Sequence, residues 1–588
     1  MPDDVLAHPE SSGSATDVDV LVLGTGAGGL TAALAAATAG ARVGLYEKGE
    51  RVGGTTALSS AVAWLPANRY AAQAGIADSR EDALAYLSAL SHGLIRPELA
   101  EAFVDTVPEL LDWLDEQTPL RMRLVAGFPD YHPEHPGGMP RGGRSLEPEL
   151  FPFTEIPGWG ERMVGVTRPM LVAETPIGGG SGLLPADVAA QRKAASLEGV
   201  GRGLVGALLK GCLDRGVEPV TGARATRLVV TDGAVTGVEF DSGAERFVVT
   251  ARSVILATGG FEHDLDLVRS FLRGPMHLPA GVPTNTGDGL RMAMRVGAEL
   301  GMMSEAWWVP VLALPQADPA ATHRPVLLVN LERTLPRSIM VNGQGRRFTN
   351  EAANYNALGG AFHHLDPTSF AYVNQPAWLI IDQGFVDRFG GFGVPPGGPA
   401  QPWLIRADDL GALAEATGIP PTALSDTVVR WNEQAAALRD DDFHRGESAY
   451  DGWSGERRHY PGPAATLGPL DEPPFYAVEI VGSCLGTKGG PRTDVDGRVQ
   501  HLDGGPIPGL YAAGNAMAAP TGMVYGGAGG TLGPALVFGY RAGRSAAREC
   551  YRARPRDPPV SAPGAGAGAT PRGRAAGSSP RQRPPNGR

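Results

Sequence analysis

Residues 18–60 constrain the fold of this chain more than any other stretch. They read VDVLVLGTGAGGLTAALAAATAGARVGLYEKGERVGGTTALSS. The run Val18–Leu23, interrupted only by Asp19, predicts a buried parallel strand, and three glycines at GxGxxG spacing follow it. The Ala-rich segment Leu30–Ala39 predicts a helix, and Arg42–Tyr46 predicts a second strand. Strand, glycine turn, helix and strand in this order predict a dinucleotide-binding unit.

Each glycine of the motif has its own physical role. Gly24 permits a tight turn, Gly26 lets the backbone approach a pyrophosphate, and Gly29 allows the helix to pack closely on the strand. The free N–H groups at the start of the helix suit phosphate oxygens. Glu47 follows about twenty residues later, where a carboxylate binds ribose hydroxyls and disfavours a 2′-phosphate. A glycine-rich surface loop is the alternative for the motif alone, and the flanking elements favour dinucleotide binding.

The composition is that of a large globular protein. The 588 residues are enough for two or three domains, 43% of them are hydrophobic, and the net charge is −12. This negative charge gives no support for nucleic-acid binding. Cys212, Cys484 and Cys550 are far apart and form no CxxC pair, so neither a disulfide framework nor a metal site is expected.

The two ends of the chain bear on its location. Residues 1–17 have no basic region followed by an apolar one, which argues against a secretory signal. No apolar run is long enough for a membrane span. A cytoplasmic protein is therefore expected, and a lipophilic substrate leaves peripheral membrane contact open. The polar N-terminus and the Pro-, Gly- and Arg-rich residues 551–588 are expected to be disordered.

Short elements are predicted between the motif and residue 282. Ala225–Val230, Val235–Phe240 and Phe247–Thr250 predict three short strands separated by turn residues. Arg252–Phe261 predicts a separate buried strand that ends in Thr258-Gly259-Gly260. The breaker-rich stretch Phe128–Pro148 predicts a long irregular loop of the kind that is often functional.

The character of the sequence changes from Glu305 onward. Ser338–Val341 followed by Asn342-Gly343 predicts a strand and a hairpin turn, and Pro421–Leu438 predicts a helix. We interpret 283–483 as a second domain inserted into the first, which spans 18–282 and resumes over 484–550. The predicted fold class is α/β: a Rossmann-like dinucleotide-binding domain with an inserted α+β catalytic domain.

Several later motifs resemble one known family. They are similar to motifs of the FAD-dependent 3-ketosteroid Δ1-dehydrogenases, which belong to the fumarate reductase/succinate dehydrogenase flavoprotein superfamily. The resemblance extends from about Val18 to Ala547. The motifs that carry it are Pro129-Asp130-Tyr131, Ala306-Trp307-Trp308, Phe348-Thr349-Asn350-Glu351 with Tyr355, Leu485-Gly486-Thr487-Lys488-Gly489-Gly490, and Ala513-Gly514-Asn515 leading to Val524-Tyr525.

This resemblance implies that the dinucleotide is FAD. The loop Gly53–Ser60 resembles the FAD-wrapping loop of the superfamily, and its Thr55-Thr56 offers no His for covalent attachment, so non-covalent FAD is expected. No metal is implied. The residues expected to contact FAD are Gly24, Gly26, Ala27, Gly28, Gly29, Glu47, Lys48, Gly53, Gly54, Thr55, Thr56, Ala57, Ser59, Ser60, Ala225, Thr258, Gly259, Asp288, Gly514, Asn515, Gly530 and Leu532.

The resemblance also implies catalytic roles. By position, Tyr525 and the N–H of Gly529 resemble the groups that bind the C3 carbonyl of a steroid. Tyr355 resembles the tyrosine that removes the C2 proton, and Tyr131 the one that assists it, while FAD N5 accepts hydride from C1. Such chemistry needs carbonyl hydrogen bonds, because they stabilise the developing enolate. The implied partners are a steroid-like ketone and an electron acceptor, a quinone or another compound.

One departure and three alternatives accompany this interpretation. The family often has Pro after the C-terminal tyrosine, and Gly526 stands there instead, which predicts a more flexible carbonyl-binding loop. A fumarate-reductase-like enoate reductase is the first alternative, but Gly486-Thr487 lacks the His-Thr of those enzymes, and no Arg lies between Leu502 and Tyr540. A Δ4-(5α)-dehydrogenase, which uses similar chemistry, and a non-catalytic flavin-binding protein are the other two.

Overall fold

The chain forms two large sheets that meet at a shared cavity. The computed structural model describes residues 17–316 and 324–552. The segments predicted to be disordered lie outside these residues, except for Asp17 and the end of the last helix. The first sheet surrounds the glycine motif, and the second is built from residues between Ala306 and Thr487. The predicted α/β class with an inserted domain is confirmed.

The first sheet is parallel at its centre. Val18–Leu23 pairs in parallel with Val43–Tyr46 on one side and with Arg246–Leu256 on the other. The central strand is almost fully buried, as its Val and Leu content predicts for a strand covered on both faces. The strands in spatial order are Arg498–Gln500, Pro506–Ala512, Arg246–Leu256, Val18–Leu23, Val43–Tyr46 and Pro219–Val220.

Two of the predicted strands are one continuous strand. Arg246–Leu256 includes the predicted Phe247–Thr250 and the first half of the predicted Arg252–Phe261, so that prediction is corrected. Its first half pairs antiparallel with Ala234–Asp241, which pairs in turn with Arg224–Thr231. Its second half pairs in parallel with the central strand. The pattern of apolar residues changes where the strand changes neighbours, and this explains why the sequence reads as two elements.

Two helices pack on the first sheet at very short range. Ala27–Thr38 follows the glycine turn, and Leu532–Arg552 crosses it near the end of the chain. A Cβ atom on Gly539 would lie 2.5 Å from the Gly28 oxygen, and one on Gly543 would lie 2.2 Å from the Ala32 oxygen. Small residues on both helices therefore allow this approach, which brings the N-termini of both helices to one cavity.

The second sheet is antiparallel and lies in the inserted region. Its longest strand, Phe475–Thr487, pairs with Ala306–Ala313, Ala377–Asp382 and Ile405–Ala407. The outer strands are Val326–Leu328 and Ser338–Asn342. The sheet thus begins after the predicted boundary at 283 and continues past the one at 483, and the boundaries themselves stay a prediction.

The remaining elements are short or peripheral. No helix among the described residues is long and apolar enough to cross a membrane. The three cysteines are buried and free. The other helices are Gly54–Leu58, Arg69–Gln73, Arg80–Leu90, Pro97–Gln117, Ala186–Ala194, Val200–Leu213, Leu265–Phe271, Asp288–Arg295, Leu358–Phe362, Gln383–Phe389, Leu410–Thr417, Pro421–Ala436 and Ala449–Ser454. The minor strands are Ala63–Trp64, Met122–Leu124, Ser145–Pro148, Phe151–Pro152, Leu197–Glu198, Leu300–Gly301, Leu365–Asp366, Ala371–Tyr372 and Gly490–Pro491.

Candidate active site

A cavity of about 690 Å³ runs from the glycine motif to a cluster of tyrosines. One end is lined by Gly24, Gly26 and Glu47, and the other by Tyr131, Tyr355 and Tyr525, with the C-terminal ends of parallel strands between them. Open α/β sheets bind ligands at this position. The cavity therefore joins the predicted cofactor residues to the predicted catalytic residues.

The glycine turn has the geometry that its sequence predicts. Gly24 has φ +108°, and a Cβ atom there would lie 2.2 Å from the Ala257 oxygen. A Cβ atom on Gly29 would lie 2.0 Å from the Gly24 oxygen, so this glycine permits the close packing of helix on turn. Gly26 precedes the helix and supplies no side-chain cap. The Ala27 N–H donates to the Thr56 hydroxyl at 3.0 Å, and the next residue of the helix, Gly28, lines the cavity where a phosphate group could approach.

Glu47 has the position expected of a ribose-binding carboxylate. Its Oε2 accepts hydrogen bonds from the Thr25 N–H at 3.1 Å and the Thr25 hydroxyl at 2.7 Å. Its Oε1 accepts one from the Gly49 N–H at 2.8 Å. Lys48 pairs with Asp288 at 2.9 Å beside it. These contacts fix the second strand against the glycine turn at the cavity wall.

The three predicted catalytic tyrosines form a continuous chain of hydroxyl groups. The hydroxyl of Tyr131 donates to that of Tyr355 at 2.9 Å, and Tyr355 donates to Tyr525 at 2.8 Å. The hydroxyl of Thr531 lies 3.3 Å from that of Tyr525 and extends the chain. Residues from three distant segments thus meet at one end of the cavity.

A buried ion-pair network holds the loop of Tyr131. Arg144 pairs with Asp130 at 2.8 Å and with Asp78 at 2.6 Å. Asp130 also accepts a hydrogen bond from the Trp64 indole at 2.7 Å. Burial raises the pKa of Asp130 to about 6, although the charge of Arg144 opposes this shift. The buried ion pairs of Arg144 therefore stabilise the breaker-rich loop, and they hold Tyr131 in place next to Asp130.

Gly526 is tightly packed, in contrast to the flexible loop that we predicted. Its carbonyl accepts hydrogen bonds from the Tyr131 N–H at 2.9 Å and the Tyr86 hydroxyl at 2.7 Å. A Cβ atom on it would lie 3.0 Å from the Trp64 ring. The glycine thus allows close contact with Trp64, and its carbonyl ties the loop of Tyr525 to that of Tyr131.

Gly529 presents a backbone N–H beside Tyr525. It has φ +92°, and a Cβ atom on it would lie 2.2 Å from the Val62 oxygen. Its carbonyl accepts from the N–H groups of Trp64 and Gly533. Its own N–H has no acceptor among residues 17–316 and 324–552. This leaves a donor free at the cavity wall.

The tyrosine hydroxyls are strongly shifted in their acidity. Burial, together with the neighbouring phenols, raises the pKa of Tyr131 and Tyr355 well above the ordinary value of 10.0. Burial also raises the pKa of Tyr525, while hydrogen bonds with Thr531 and Tyr355 lower it. The phenols are neutral near pH 7 in this geometry, and any one that loses its proton becomes a strong base.

Comparison with known proteins shows what this site belongs to. A family model described as an FAD binding domain matches residues 19–532. The chain is 38% identical over 573 residues to a 3-oxosteroid 1-dehydrogenase of Mycobacterium tuberculosis, covering 90% of this chain and 97% of that protein. The chain belongs to the FAD-dependent 3-ketosteroid Δ1-dehydrogenase family. FAD is its cofactor.

Two further relatives agree with this family assignment. A 4-oxocyclohexanecarboxylate 2-dehydrogenase of Sinomonas cyclohexanicum is 40% identical over 539 residues, covering 90% of this chain and 92% of that protein. The crystal structure of a 3-ketosteroid Δ1-dehydrogenase from Sterolibacterium denitrificans, in complex with 1,4-androstadiene-3,17-dione, superposes with a TM-score of 0.83 at 31% identity. That match covers 90% of this chain and 99% of the other. The predicted family and the predicted cofactor are confirmed.

Most residues predicted to contact FAD line the cavity, and four do not. The four are Gly29, Gly53, Ala57 and Gly530. Gly29 packs on the glycine turn, Gly53 caps the short helix Gly54–Leu58 and is close to Ala57 in that helix, and Gly530 is close to the Tyr525 ring. Those that line the cavity are Gly24, Gly26, Ala27, Gly28, Glu47, Lys48, Gly54, Thr55, Thr56, Ser59, Ser60, Ala225, Thr258, Gly259, Asp288, Gly514, Asn515 and Leu532. Their contacts with FAD stay a prediction.

Three residues near the tyrosines were not predicted from the sequence. Thr531 follows the predicted Gly530 directly, and this adjacency was the only signal for it. The ring of Tyr450 lies 5.0 Å from that of Tyr131 and crosses it at 69°. Arg333 is buried close by. No local motif marks the last two, because their segments reach the site only through tertiary packing.

Proposed function

We propose that this chain oxidises a 3-ketosteroid to its Δ1 product, with loss of hydrogen from C1 and C2. The observation that carries the proposal is the chain of hydroxyls from Tyr131 through Tyr355 to Tyr525 beside the free N–H of Gly529. A C–H group next to a ketone is weakly acidic, and its removal needs both a base and stabilisation of the enolate oxygen. Both requirements are met by residues at one end of the cavity.

Tyr525 and Gly529 form the carbonyl-binding pair in this proposal. The phenol and the backbone N–H are both donors that line the cavity. Thr531 lies 3.3 Å from the Tyr525 hydroxyl and shares its hydrogen bonding. Donors fixed in a buried site stabilise a developing oxyanion without reorganisation. The ring ketone is therefore held with its oxygen at Tyr525 and its C2 hydrogen toward Tyr355.

Tyr355 is the proposed base, and Tyr131 is its partner. The hydroxyls of the two lie 2.9 Å apart. Burial raises the pKa of Tyr355, and its hydrogen bonds with Tyr131 and Tyr525 raise it further while the phenol is neutral. Once Tyr355 has lost its proton, the Tyr131 hydroxyl is placed to donate a hydrogen bond to the tyrosinate. Tyr355 then takes the C2 proton while Tyr525 and Gly529 stabilise the enolate.

The residues around the glycine turn fit FAD. Thr258 Oγ1 is buried in the cavity wall without a hydrogen-bond partner among the described residues, so a bound polar group is needed to satisfy it. Gly26 and Ala27 would face the pyrophosphate, and Glu47 the adenosine ribose. When bound, FAD supplies the hydride acceptor. Attachment is non-covalent in this proposal, because Thr55 and Thr56 stand where a covalent relative has His.

The walls near the tyrosines favour an apolar substrate. Val62, Phe128, Val200, Leu328 and Leu331 line this end of the cavity. Apolar walls with a few fixed donors are typical of sites for a rigid hydrocarbon skeleton with one ketone. No histidine lines the cavity within the part of the chain that the structure describes, which disfavours the fumarate reductase alternative.

A smaller keto acid is a second candidate substrate, and Arg168 favours it. This side chain lines the cavity and has no ion-pair partner among the described residues, whereas the other lining cation, Lys48, is paired with Asp288. A relative that is 40% identical is named for action on 4-oxocyclohexanecarboxylate. Arg168 suits a carboxylate on the substrate, and the donor pair and base would act on its ketone unchanged.

We also propose that the cavity mouth contacts a membrane surface. Leu58 and Ile177 line the cavity and are 41% and 40% exposed, and Val166 nearby is 68% exposed. Apolar side chains at an entrance can dip into a lipid interface, where steroids and quinone acceptors dissolve. Sedimentation with phosphatidylcholine vesicles tests this: Leu58→Ser with Val166→Ser should lower the bound fraction, and equal binding would contradict it.

A substrate panel tests the proposed reaction. The purified holoenzyme is assayed with an artificial electron acceptor and four compounds: a 3-ketosteroid, a 5α-3-ketosteroid, 4-oxocyclohexanecarboxylate and fumarate. We expect the highest kcat/KM with the 3-ketosteroid and a Δ1 product by mass spectrometry and NMR. A Δ4 product from the 5α-3-ketosteroid would favour that alternative instead. Reduction of fumarate by a reduced viologen would contradict the ranking of the two enzyme classes.

A further inference from the structure

Arg333 is a buried cation without a neighbouring counter-ion. Its side chain is among the largest that are fully enclosed, with 1% exposure. Its Nη1 donates to the backbone oxygens of Glu351 and Ala353, the second at 2.8 Å. No carboxylate lies within ion-pair distance of it among the described residues, and its Nε has no hydrogen-bond partner there. A buried guanidinium is usually paired, so this arrangement calls for an explanation.

Three nearby acids are already engaged by other groups. Glu351 pairs with Arg347 at 2.7 Å and with Arg445 at 3.2 Å. Asp440 pairs with Arg347 at 2.8 Å. Asp451 accepts hydrogen bonds from the Asn350 amide and the Gly446 N–H. The charge of Arg333 is therefore compensated only at longer range. Its electrostatic field reaches the phenols of Tyr131 and Tyr450.

The Arg333 charge acts on two phenols at the tyrosine end of the cavity, Tyr131 and Tyr450. The Arg333 charge lowers the pKa of Tyr131, against a larger increase caused by burial. It also lowers the pKa of Tyr450, which burial raises to about 12. The rings of Tyr131 and Tyr450 touch with centroids 5.0 Å apart. Tyr450 is therefore within reach of the Arg333 charge and in ring contact with Tyr131.

Arg333 also holds the backbone that carries Tyr355. The two carbonyls that it binds belong to the turn immediately before that residue. Asn354 completes the turn. Its side-chain oxygen accepts from the Ala357 N–H at 3.0 Å, and its side-chain amide donates to the backbone carbonyl of Tyr131 at 3.3 Å. One side chain therefore connects the position of Tyr355 with the electrostatic environment of Tyr131.

We propose that Arg333 is a positioning residue whose buried positive charge favours the ionised form of the Tyr131–Tyr355 pair. The inference rests on the proposed function, in which that pair removes the substrate proton. An opposite charge nearby favours the charged form of an acid, and it acts strongly where water is excluded. The other groups that face the pair are the phenols of Tyr450 and Tyr525, with Asp451 beyond Tyr450.

The charge is tested by a probe that needs no turnover. Tyr131 is replaced with 3,5-difluorotyrosine, which ionises at lower pH than tyrosine, and its ionisation midpoint is read by fluorine NMR in the FAD-loaded protein. Arg333→Gln removes the charge but keeps an amide donor for the two carbonyls. We expect it to raise the midpoint by up to about one pH unit, because the Arg333 charge has a smaller influence on the pKa of Tyr131 than burial and the neighbouring phenols. Arg333→Lys keeps the charge and should leave the midpoint within a few tenths of a unit, by the same electrostatic argument.

Arg445→Gln is the matched control. Arg445 is as deeply buried as Arg333 but is paired with Glu351, so its loss should lower the melting temperature without moving the midpoint. Equal midpoints in the parent protein and Arg333→Gln would overturn the inference, as would an equal shift in Arg445→Gln. If Arg333→Gln does not fold, a midpoint in Arg333→Lys that moves up by a full unit would overturn it too.

Kinetics provide the second readout. Dehydrogenation of a 3-ketosteroid by Arg333→Gln should fall about tenfold for each unit of midpoint shift at neutral pH and recover at alkaline pH. A loss that is equal at every pH would indicate a purely structural role and overturn the inference. If the midpoint shifts as expected but the parent protein turns over no 3-ketosteroid, the proposed function fails and the electrostatic role of Arg333 stands.

Discussion

The hydroxyl of Tyr355 donates to that of Tyr525 at 2.8 Å, although 170 positions separate the two residues in the sequence. In the proposed mechanism these two groups act on neighbouring atoms of the substrate, the C2 hydrogen and the ketone oxygen. A ketone can accept the proton of the Tyr525 hydroxyl while the Tyr525 oxygen still accepts from Tyr355. The proposed carbonyl donor and the proposed base therefore belong to one hydrogen-bond chain.

The first prediction concerns the attachment of FAD. The purified protein should be yellow and should release its flavin into the supernatant on acid or heat precipitation. The reason is that Gly53–Ser60 contains no His for covalent attachment, so in the proposed site the glycine turn and Glu47 would hold the flavin by non-covalent contacts. Absorbance of the supernatant and of the washed pellet measures the outcome. Flavin that stays in the pellet would show covalent attachment.

The second prediction concerns the backbone donor at Gly529. Gly529→Ala should lower kcat for 3-ketosteroid oxidation by about a hundredfold to a thousandfold, since the added Cβ would meet the Val62 oxygen at 2.2 Å and displace the N–H. The positive φ adds a stability cost of about 1 to 3 kcal/mol. Gly504→Ala is the control, because Gly504 has φ +95° and nothing within 4 Å. It should show a similar cost of strain with unchanged kcat, and equal kcat in both variants would exclude the proposed role.

The glycine turn and its flanking strands could be predicted because their signal is local. Gly24, Gly29 and Glu47 are close in sequence, and each has a conformation or contact that its residue type alone dictates. The long strand Phe475–Thr487 was missed, since it contains Gly482 and Gly486 and is stabilised by partners far away in sequence. Strands that depend on neighbours on both sides carry little signal of their own.

The site could be predicted only in part for the same reason. Tyr131, Tyr355 and Tyr525 were identified through a resemblance in short motifs, and the structure places their hydroxyls in one chain. Arg333 and Tyr450 lie in segments without such motifs. The importance of both depends on their burial, and that of Arg333 also on the absence of a paired carboxylate among the described residues, which are properties of the packed molecule.

The third prediction concerns pH. Burial raises the pKa of Tyr131 and Tyr355 well above the ordinary value, so the tyrosinate is a minor species near neutrality. Because deprotonation is favoured as pH rises, kcat/KM should increase by up to about tenfold per pH unit on the alkaline side of neutrality. Initial rates across this range in a constant-ionic-strength buffer measure it. A rate that falls steadily above neutrality, in protein that stays folded, would contradict the assignment of a phenol as base.

The fourth prediction concerns the carbonyl donor. Tyr525→Phe should lower kcat about a hundredfold to a thousandfold while FAD stays bound, because one oxyanion donor is lost and the ring is kept. The ring packs against Trp307 with centroids 5.0 Å apart, so the fold should tolerate the change. Thr531→Val is the comparison: Thr531 lies 3.3 Å from the Tyr525 hydroxyl, and its loss should have a smaller effect. Near-parent turnover by folded Tyr525→Phe would remove Tyr525 from the mechanism.

The last prediction separates the base from the carbonyl donor. Tyr355→Phe removes the group that takes the C2 proton, so kcat should fall by about a hundredfold to ten-thousandfold with the flavin spectrum unchanged. The two tyrosine variants differ in the exchange of the substrate C2 hydrogen with solvent deuterium, followed by mass spectrometry without an electron acceptor. Tyr355→Phe should abolish this exchange, because the proposed base is removed. Tyr525→Phe should only slow it, because the base remains and the enolate is less stable. Exchange at the parent rate in Tyr355→Phe would show that another group removes the proton. Tyr131, whose hydroxyl is 2.9 Å from that of Tyr355, would then be the first residue to test.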